Sequence, residues 1–126
     1  MTPLLDTPRK RLALLVRSPP YRHRAARADL DLALAAAALD FDLDLYFLGA
    51  AVLQLAAGQD GRAALLPAGY RAWAALPGLT GLRAFAQPEW VARCRCESIE
   101  LLLPLQALSA REMAEGWRRC RHAWLL

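Results

Sequence analysis

Apolar and polar positions follow two rhythms along this chain, and the order of those rhythms predicts the fold. Residues 12–16 (LALLV) and 45–48 (LYFL) are continuously apolar. Between them, Ala26, Leu30, Ala33, Leu34 and Ala37 recur at helical spacing over about 25–39. Unbroken apolar strands joined through a helix predict a parallel sheet buried on both faces. The first strand covers about 11–16, and Ser18-Pro19-Pro20-Tyr21 ends it because adjacent prolines remove backbone donors and fix φ. The second covers about 43–48. Gly49 follows as a tight turn, and a short helix over 50–57 stops at Gly58.

The second half reads less regularly. Residues 59–69 are polar and glycine-bearing, which predicts a loop, and 70–76 predict one or two helical turns closed by Pro77-Gly78. A third strand is expected at 82–86, with Pro88 in the first turn of a helix reaching about Cys94. The run Ile99-Glu100-Leu101-Leu102-Leu103 predicts a fourth strand over 98–103, ended by Pro104. Ser109 with Glu112 three residues on is a capping box opening a last helix to about Arg121, and residues 123–126 predict a final strand. The sum is a single-domain, three-layer α/β fold over 11–126, flavodoxin-like, with a mostly parallel five-stranded sheet and helices on both faces. Residues 1–10 are expected to form a flexible tail.

Composition narrows the class. With 126 residues the chain has the length of one domain that buries a real core. It is 56% hydrophobic but only 8% aromatic, so Ala and Leu carry the core. The formal charge is +4, and every basic residue except Lys10 is Arg. That balance allows contact with an acidic protein or with tRNA. No apolar stretch reaches the ~18–20 residues of a membrane span; the nearest, Leu30–Leu48, is interrupted by Asp31, Asp40, Asp42 and Asp44. The amino terminus lacks the charge order of a signal peptide. Three cysteines without a zinc-like pair fit a reducing cytosol, and no metal or cofactor site is expected.

An open α/β sheet binds ligands at the carboxyl ends of its strands, which puts Ser18, Tyr21, Arg22, His23, Gly49, Gln54, Gln87 and Glu89 in view. No GxGxxG or GxxxxGK[ST] motif opens the first loop, so a nucleotide-phosphate cradle is unsupported. Asp40, Asp42 and Asp44 sit at the amino end of the second strand and read as a polar turn. His23, with Ser18 and Glu89 as conceivable mates, reads as a loop histidine, and His122 as a surface one. Cys94 and Cys96 are the candidate persulfide-carrying thiols, because Arg93 and Arg95 would favour thiolate. Against that role, they close a helix, whose dipole disfavours an anion, and they precede the fourth strand, at the edge opposite the strand ends. Cys120 reads as structural. The early cluster Arg9, Lys10, Arg11, Arg17, Arg22, Arg24 and Arg27 suits phosphate contact, with only Tyr21 interleaved for base stacking.

Three stretches carry a resemblance to the DsrE-like family, in particular to sulfur-relay subunits of the TusC/DsrF type. The strand-turn-helix SPPYRHRAARADLDLALA is similar to the family's strand, polar turn and Arg…Leu-Asp helix, with Arg27, Leu30 and Asp31 in place. The segment LDLYFLGAAVLQLAAGQ resembles the family's strand followed by Val-aromatic-Gln-Leu; Val52, Gln54, Leu55 and Gln59 match, and Leu53 takes the aromatic position. The ending, Pro104-Leu105 followed by a capped helix and an apolar strand, completes the match, which is strongest over 11–59. The resemblance implies a DsrE-like fold and a cytoplasmic hetero-oligomer, a heterohexamer of related small subunits that hands persulfide sulfur to carrier proteins. The TusC branch serves 2-thiolation of the tRNA wobble uridine, with indirect tRNA contact; the DsrF branch serves sulfur oxidation.

In the family the sulfur-carrying cysteine lies where the third strand gives way to its helix. Here that junction reads Phe85-Ala86-Gln87-Pro88-Glu89, without a thiol. A non-catalytic TusC/DsrF-like subunit is therefore the leading expectation. Its alternatives are a sulfurtransferase using Cys94 or Cys96 and a basic tRNA-binding module. Tyr21, Val52, Leu53, Gln54 and Leu55 are the expected partner-interface residues, with Val52, Leu53 and Leu55 forming an exposed apolar patch.

Overall fold

A computed structural model describes residues 11–17, 23–56, 70–120 and 122–125. The expected tail at 1–10, the turn that holds Tyr21 and the loop at 59–69 lie outside these residues. The elements are β1 (Arg11–Val16), α1 (His23–Ala38), β2 (Asp42–Phe47), two 3₁₀ segments (Gly49–Leu55 and Tyr70–Gly78), β3 (Leu82–Ala86), α2 (Pro88–Cys96), β4 (Gln106–Ala107), α3 (Ala110–Arg118) and β5 (His122–Leu125). The strands form one five-stranded sheet in the order β4-β3-β2-β1-β5. Every strand pair is parallel. Four strands have four residues or more; β4 is a two-residue edge.

Register sorts the sheet into two unlike faces. Leu12↔Leu43↔Leu82 and Leu14↔Leu45↔Ala84 share one face, the core face. It is covered by Leu30, Ala33 and Ala37 of α1, by both 3₁₀ segments, and by Val91 and Cys94 of α2. Trp73 lies buried there, its ring edge-on to Phe47 with centroids 5.5 Å apart. The other face carries the rows Arg11↔Asp42, Ala13↔Asp44↔Arg83 and Leu15↔Tyr46↔Phe85. Met113 and Trp117 of α3 pack onto it, with Leu108 and Cys120 from the flanking turns. The alanines of α1 let that helix approach the sheet, as the pattern predicts: Ala33, Ala36 and Ala37 are fully buried or nearly so.

Two expectations need correction. The expected fourth strand at 98–103 does not form a ladder. Ser98 turns the chain with a positive φ of 53°, Leu103 drops into the core, and the run makes one antiparallel bridge, Leu101 to Ala56. The partner of β3 is instead the exposed pair Gln106–Ala107, two residues beyond Pro104. The second correction concerns the short helix after β2. It is a 3₁₀ segment whose Val52 and Leu55 are completely buried and whose Gln54 is 2% exposed. The expected apolar patch of Val52, Leu53 and Leu55 is therefore largely spent on the chain's own core, with Leu53 only partly buried.

Candidate functional site

The carboxyl edge of the sheet is built around the exits of β2 and β3. Leu48 N–H donates to Val16 O at 2.9 Å and continues the β1–β2 ladder past the strand end. Gly49 then turns the chain with φ +57°, a conformation an L side chain adopts only with strain. Its amide donates to Oε1 of Gln87 at 2.8 Å. Gln87 stands at the amino cap of α2, but its side chain makes no cap bond; the carboxamide points across to β2 instead. Pro88 opens α2, where the missing N–H is not needed. Glutamine thus occupies the β3 exit and knits it to the β2 exit.

Gln54 is placed by the same logic. Its Nε2 donates to Oδ2 of Asp29 at 3.1 Å, and both side chains are buried. This polar bridge joins the first 3₁₀ segment to α1, so the Gln54 of the family-like segment has an internal structural partner. Tyr21 lies outside the described residues. His23 begins α1, and its side chain is not described.

The cysteines sit away from this edge. Cys94 and Cys96 lie at the far end of α2, a helix that starts at the carboxyl edge and runs back along the sheet. Cys94 is 2% exposed. Burial foremost, then the Glu97 carboxylate, pushes its thiol above the usual range, with Arg93 opposing. Cys96 is exposed. Arg93, expected to favour thiolate, lies 3.6 Å from Glu97 and 5.0 Å above the Trp90 ring.

A second polar centre lies on the outer face, where the sequence predicted only a turn. Asp44, 1% exposed, accepts from Arg11 Nη1 at 2.6 Å and from Arg83 Nε and Nη2 at 2.8 and 2.6 Å. The Cys120 thiol donates to the same carboxylate across 3.5 Å. Bonding to Asp44 holds the Arg83 guanidinium above its ordinary pKa. Burial, reinforced by the Asp44 charge, lifts Cys120 to about 11 and Tyr46 to about 12. Cys120 is therefore a protonated, unreactive thiol at neutral pH. The signal was present in the sequence: in Asp42-Leu43-Asp44-Leu45-Tyr46 the period of two places Asp44 beside Tyr46 on one face, and Arg83 and Phe85 repeat that spacing in β3.

The class defined by this geometry is a five-stranded parallel α/β domain with a thiol-free carboxyl edge among the described residues. A model of the DsrE/DsrF-like family matches residues 10–86, and the chain belongs to that family, a DsrE-like group of sulfur-relay proteins. The fold is similar to the crystal structure of the YchN protein from E. coli, with a TM-score of 0.72 at 14% identity over 93% of this chain and 99% of that one. No curated protein matches the chain in sequence. No helix among the described residues is long and apolar enough to cross a membrane.

Proposed function

We infer that the chain is a non-catalytic, TusC/DsrF-like subunit of a cytoplasmic sulfur-relay complex, supporting persulfide transfer toward tRNA wobble-uridine thiolation rather than carrying the sulfur itself. The supporting observation is Gln87. Where the resemblance implies a sulfur-bearing cysteine in a carrier subunit, this chain has a carboxamide bonded to the Gly49 amide. A carboxamide has no nucleophilic sulfur to load, and this one is already engaged within the fold. The raised pKa of Cys94 and Cys120 argues the same way, because the thiolate is the reactive species. The partners are related small DsrE-like subunits, with Leu53 and Tyr21 as the remaining interface candidates.

The competing reading rests on Cys96, the exposed thiol of the Cys94-Arg95-Cys96 pair. One experiment separates the two. The chain is co-expressed with small DsrE-like subunits, the assembly is sized by light scattering, and each subunit is weighed intact after exposure to a cysteine desulfurase and its substrate. The first reading expects a stable mixed oligomer in which sulfur accumulates on a partner and not on this chain. Sulfur added to this chain, and lost in Cys96→Ser, would favour the carrier reading. A monomer that ignores the other subunits would remove the first reading.

A further inference from the structure

The outer face holds a cleft of about 270 Å³ between β3 and α3 that the sulfur-relay reading does not use. Its two walls carry opposite charge. On the sheet side stand Arg11 and Arg83; on the helix side stand Glu112 and Glu115, with Phe85 and Leu108 as the apolar lining between them. Asp44 holds both guanidiniums in place but does not exhaust them. It takes one contact from Arg11 Nη1 and two from Arg83, through Nε and Nη2. Arg83 Nη1 and the second hydrogens on the bonded Nη atoms remain for another acceptor. The side chains are 33% and 55% exposed, so those donors are open to a ligand.

The helix wall is fixed as well. Glu112 closes the capping box with Ser109, and hydrogen bonds from Ser109 hold it below the usual carboxylate range, so it stays anionic. Glu115 meets Arg111 only at 3.5 Å on the solvent side. Arg119 also lines this wall, and its Nε donates to the Glu115 carbonyl, back along its own helix. Gly116 lets α3 lie directly against Tyr46 at the floor, where a Cβ would meet the hydroxyl.

We propose that this cleft binds a free α-amino acid with an apolar side chain, its carboxylate on Arg11 and Arg83, its ammonium on Glu115 and Glu112, and its side chain against Leu108. Volume supports the class. Pockets for drug-sized ligands span about 300–1,000 Å³, so this cleft suits an occupant at the small end. Charge supports it too. A simple anion would face the two glutamates, and a simple cation the two arginines, whereas a zwitterion matches both walls at once.

The test is a titration of the full-length chain, followed by amide NMR shifts, with L-leucine, N-acetyl-L-leucine and L-leucinamide as probes. Leucine is expected to shift the amides of Arg83, Phe85, Glu115 and Gly116, and neither blocked compound is expected to do so, since each lacks one charge. Glu115→Gln, at an exposed position, should weaken leucine binding about tenfold, the loss of one charge-assisted hydrogen bond. Arg111→Gln, which touches Glu115 only from outside the cleft, should leave affinity unchanged. The proposal is overturned by the absence of shifts with millimolar leucine, by equal shifts from either blocked compound, or by a Glu115→Gln affinity equal to that of the parent chain.

Discussion

The two faces of the sheet solve the same burial problem by different chemistry. The core face is closed by aliphatic and aromatic side chains under α1, α2 and two 3₁₀ segments. The outer face is closed by α3 over a small aromatic cluster, Tyr46 stacked on Phe85 at 5.0 Å and edge-on to Trp117 at 5.7 Å, beside the Asp44 ion cluster. Apolar packing is non-directional, so the core face depends on volume. The outer face depends on each partner keeping its position and charge, because a buried carboxylate is tolerated only when its oxygens are bonded. That contrast makes the core face sensitive to volume and the outer face sensitive to charge and hydrogen bonding.

The largest effect should come from breaking the core face. Trp73→Ala removes its largest buried side chain and is expected to destabilise the fold by about 3–5 kcal/mol in urea unfolding. A loss below about 1 kcal/mol would mean that the segment at 70–78 does not close this face. The outer face should respond to shape next. Gly116→Ala drives a methyl into the Tyr46 hydroxyl, with an expected cost of about 1–3 kcal/mol. Tyr46→Phe in the same chain should restore most of that loss, and equal losses in the single and double variants would refute the clash.

Alkaline pH sharpens the comparison, since the outer face holds both Cys120 and Tyr46, whose protons burial retains most strongly. In the fold Cys120 titrates at about 11 instead of 9.0, and Tyr46 at about 12 instead of 10.0. Both pKa values are raised on folding, so their contribution is complete below pH 9 and is lost as the unfolded chain releases its protons first. Stability should therefore fall from about pH 9 through the folded values, and Cys120→Ser should flatten the 9–11 part of that slope. A pH-independent unfolding midpoint across this window would contradict the burial of both groups. The smallest effect is expected from the exposed Arg93–Glu97 pair. Glu97→Ala should change stability by under about 0.5 kcal/mol, which sets solvent-side ion pairs apart from the Asp44 cluster.

Much of this architecture is legible from pattern. The apolar runs of β1 and β2, the alanine-rich α1 between them and the Ser109–Glu112 box each combine local propensity with the final packing, so the two agree. The fourth strand was misread because periodicity reports burial and not hydrogen bonding. Ile99, Leu101, Leu102 and Leu103 are apolar because they pack against the core cluster, while the residues that pair with β3 are an exposed glutamine and alanine. Val52 and Leu55 misled for the same reason: an apolar side chain signals that something covers it, without saying whether the cover is the chain itself. The face shared by Asp44 and Tyr46 was legible from the period of two, but the compensation of Asp44 was not, because it comes from Arg11 and Arg83, thirty-three and thirty-nine positions away. The thiol-free junction at 85–89 was legible at once, but the bond from Gly49 to Gln87 was not, since contacts between loop ends belong to the tertiary fold.

The bond between Gly49 and Gln87 sets what a substitution at this junction would cost. Gln87 is the clasp that fastens the exit of β2 to the exit of β3. Gln87→Cys would install a sulfur atom and, in the same step, unfasten the Gly49 turn, since a thiol is too short and too weak an acceptor to reach that amide. Placing a thiol at this junction would for that reason call for a second change to hold the Gly49 turn.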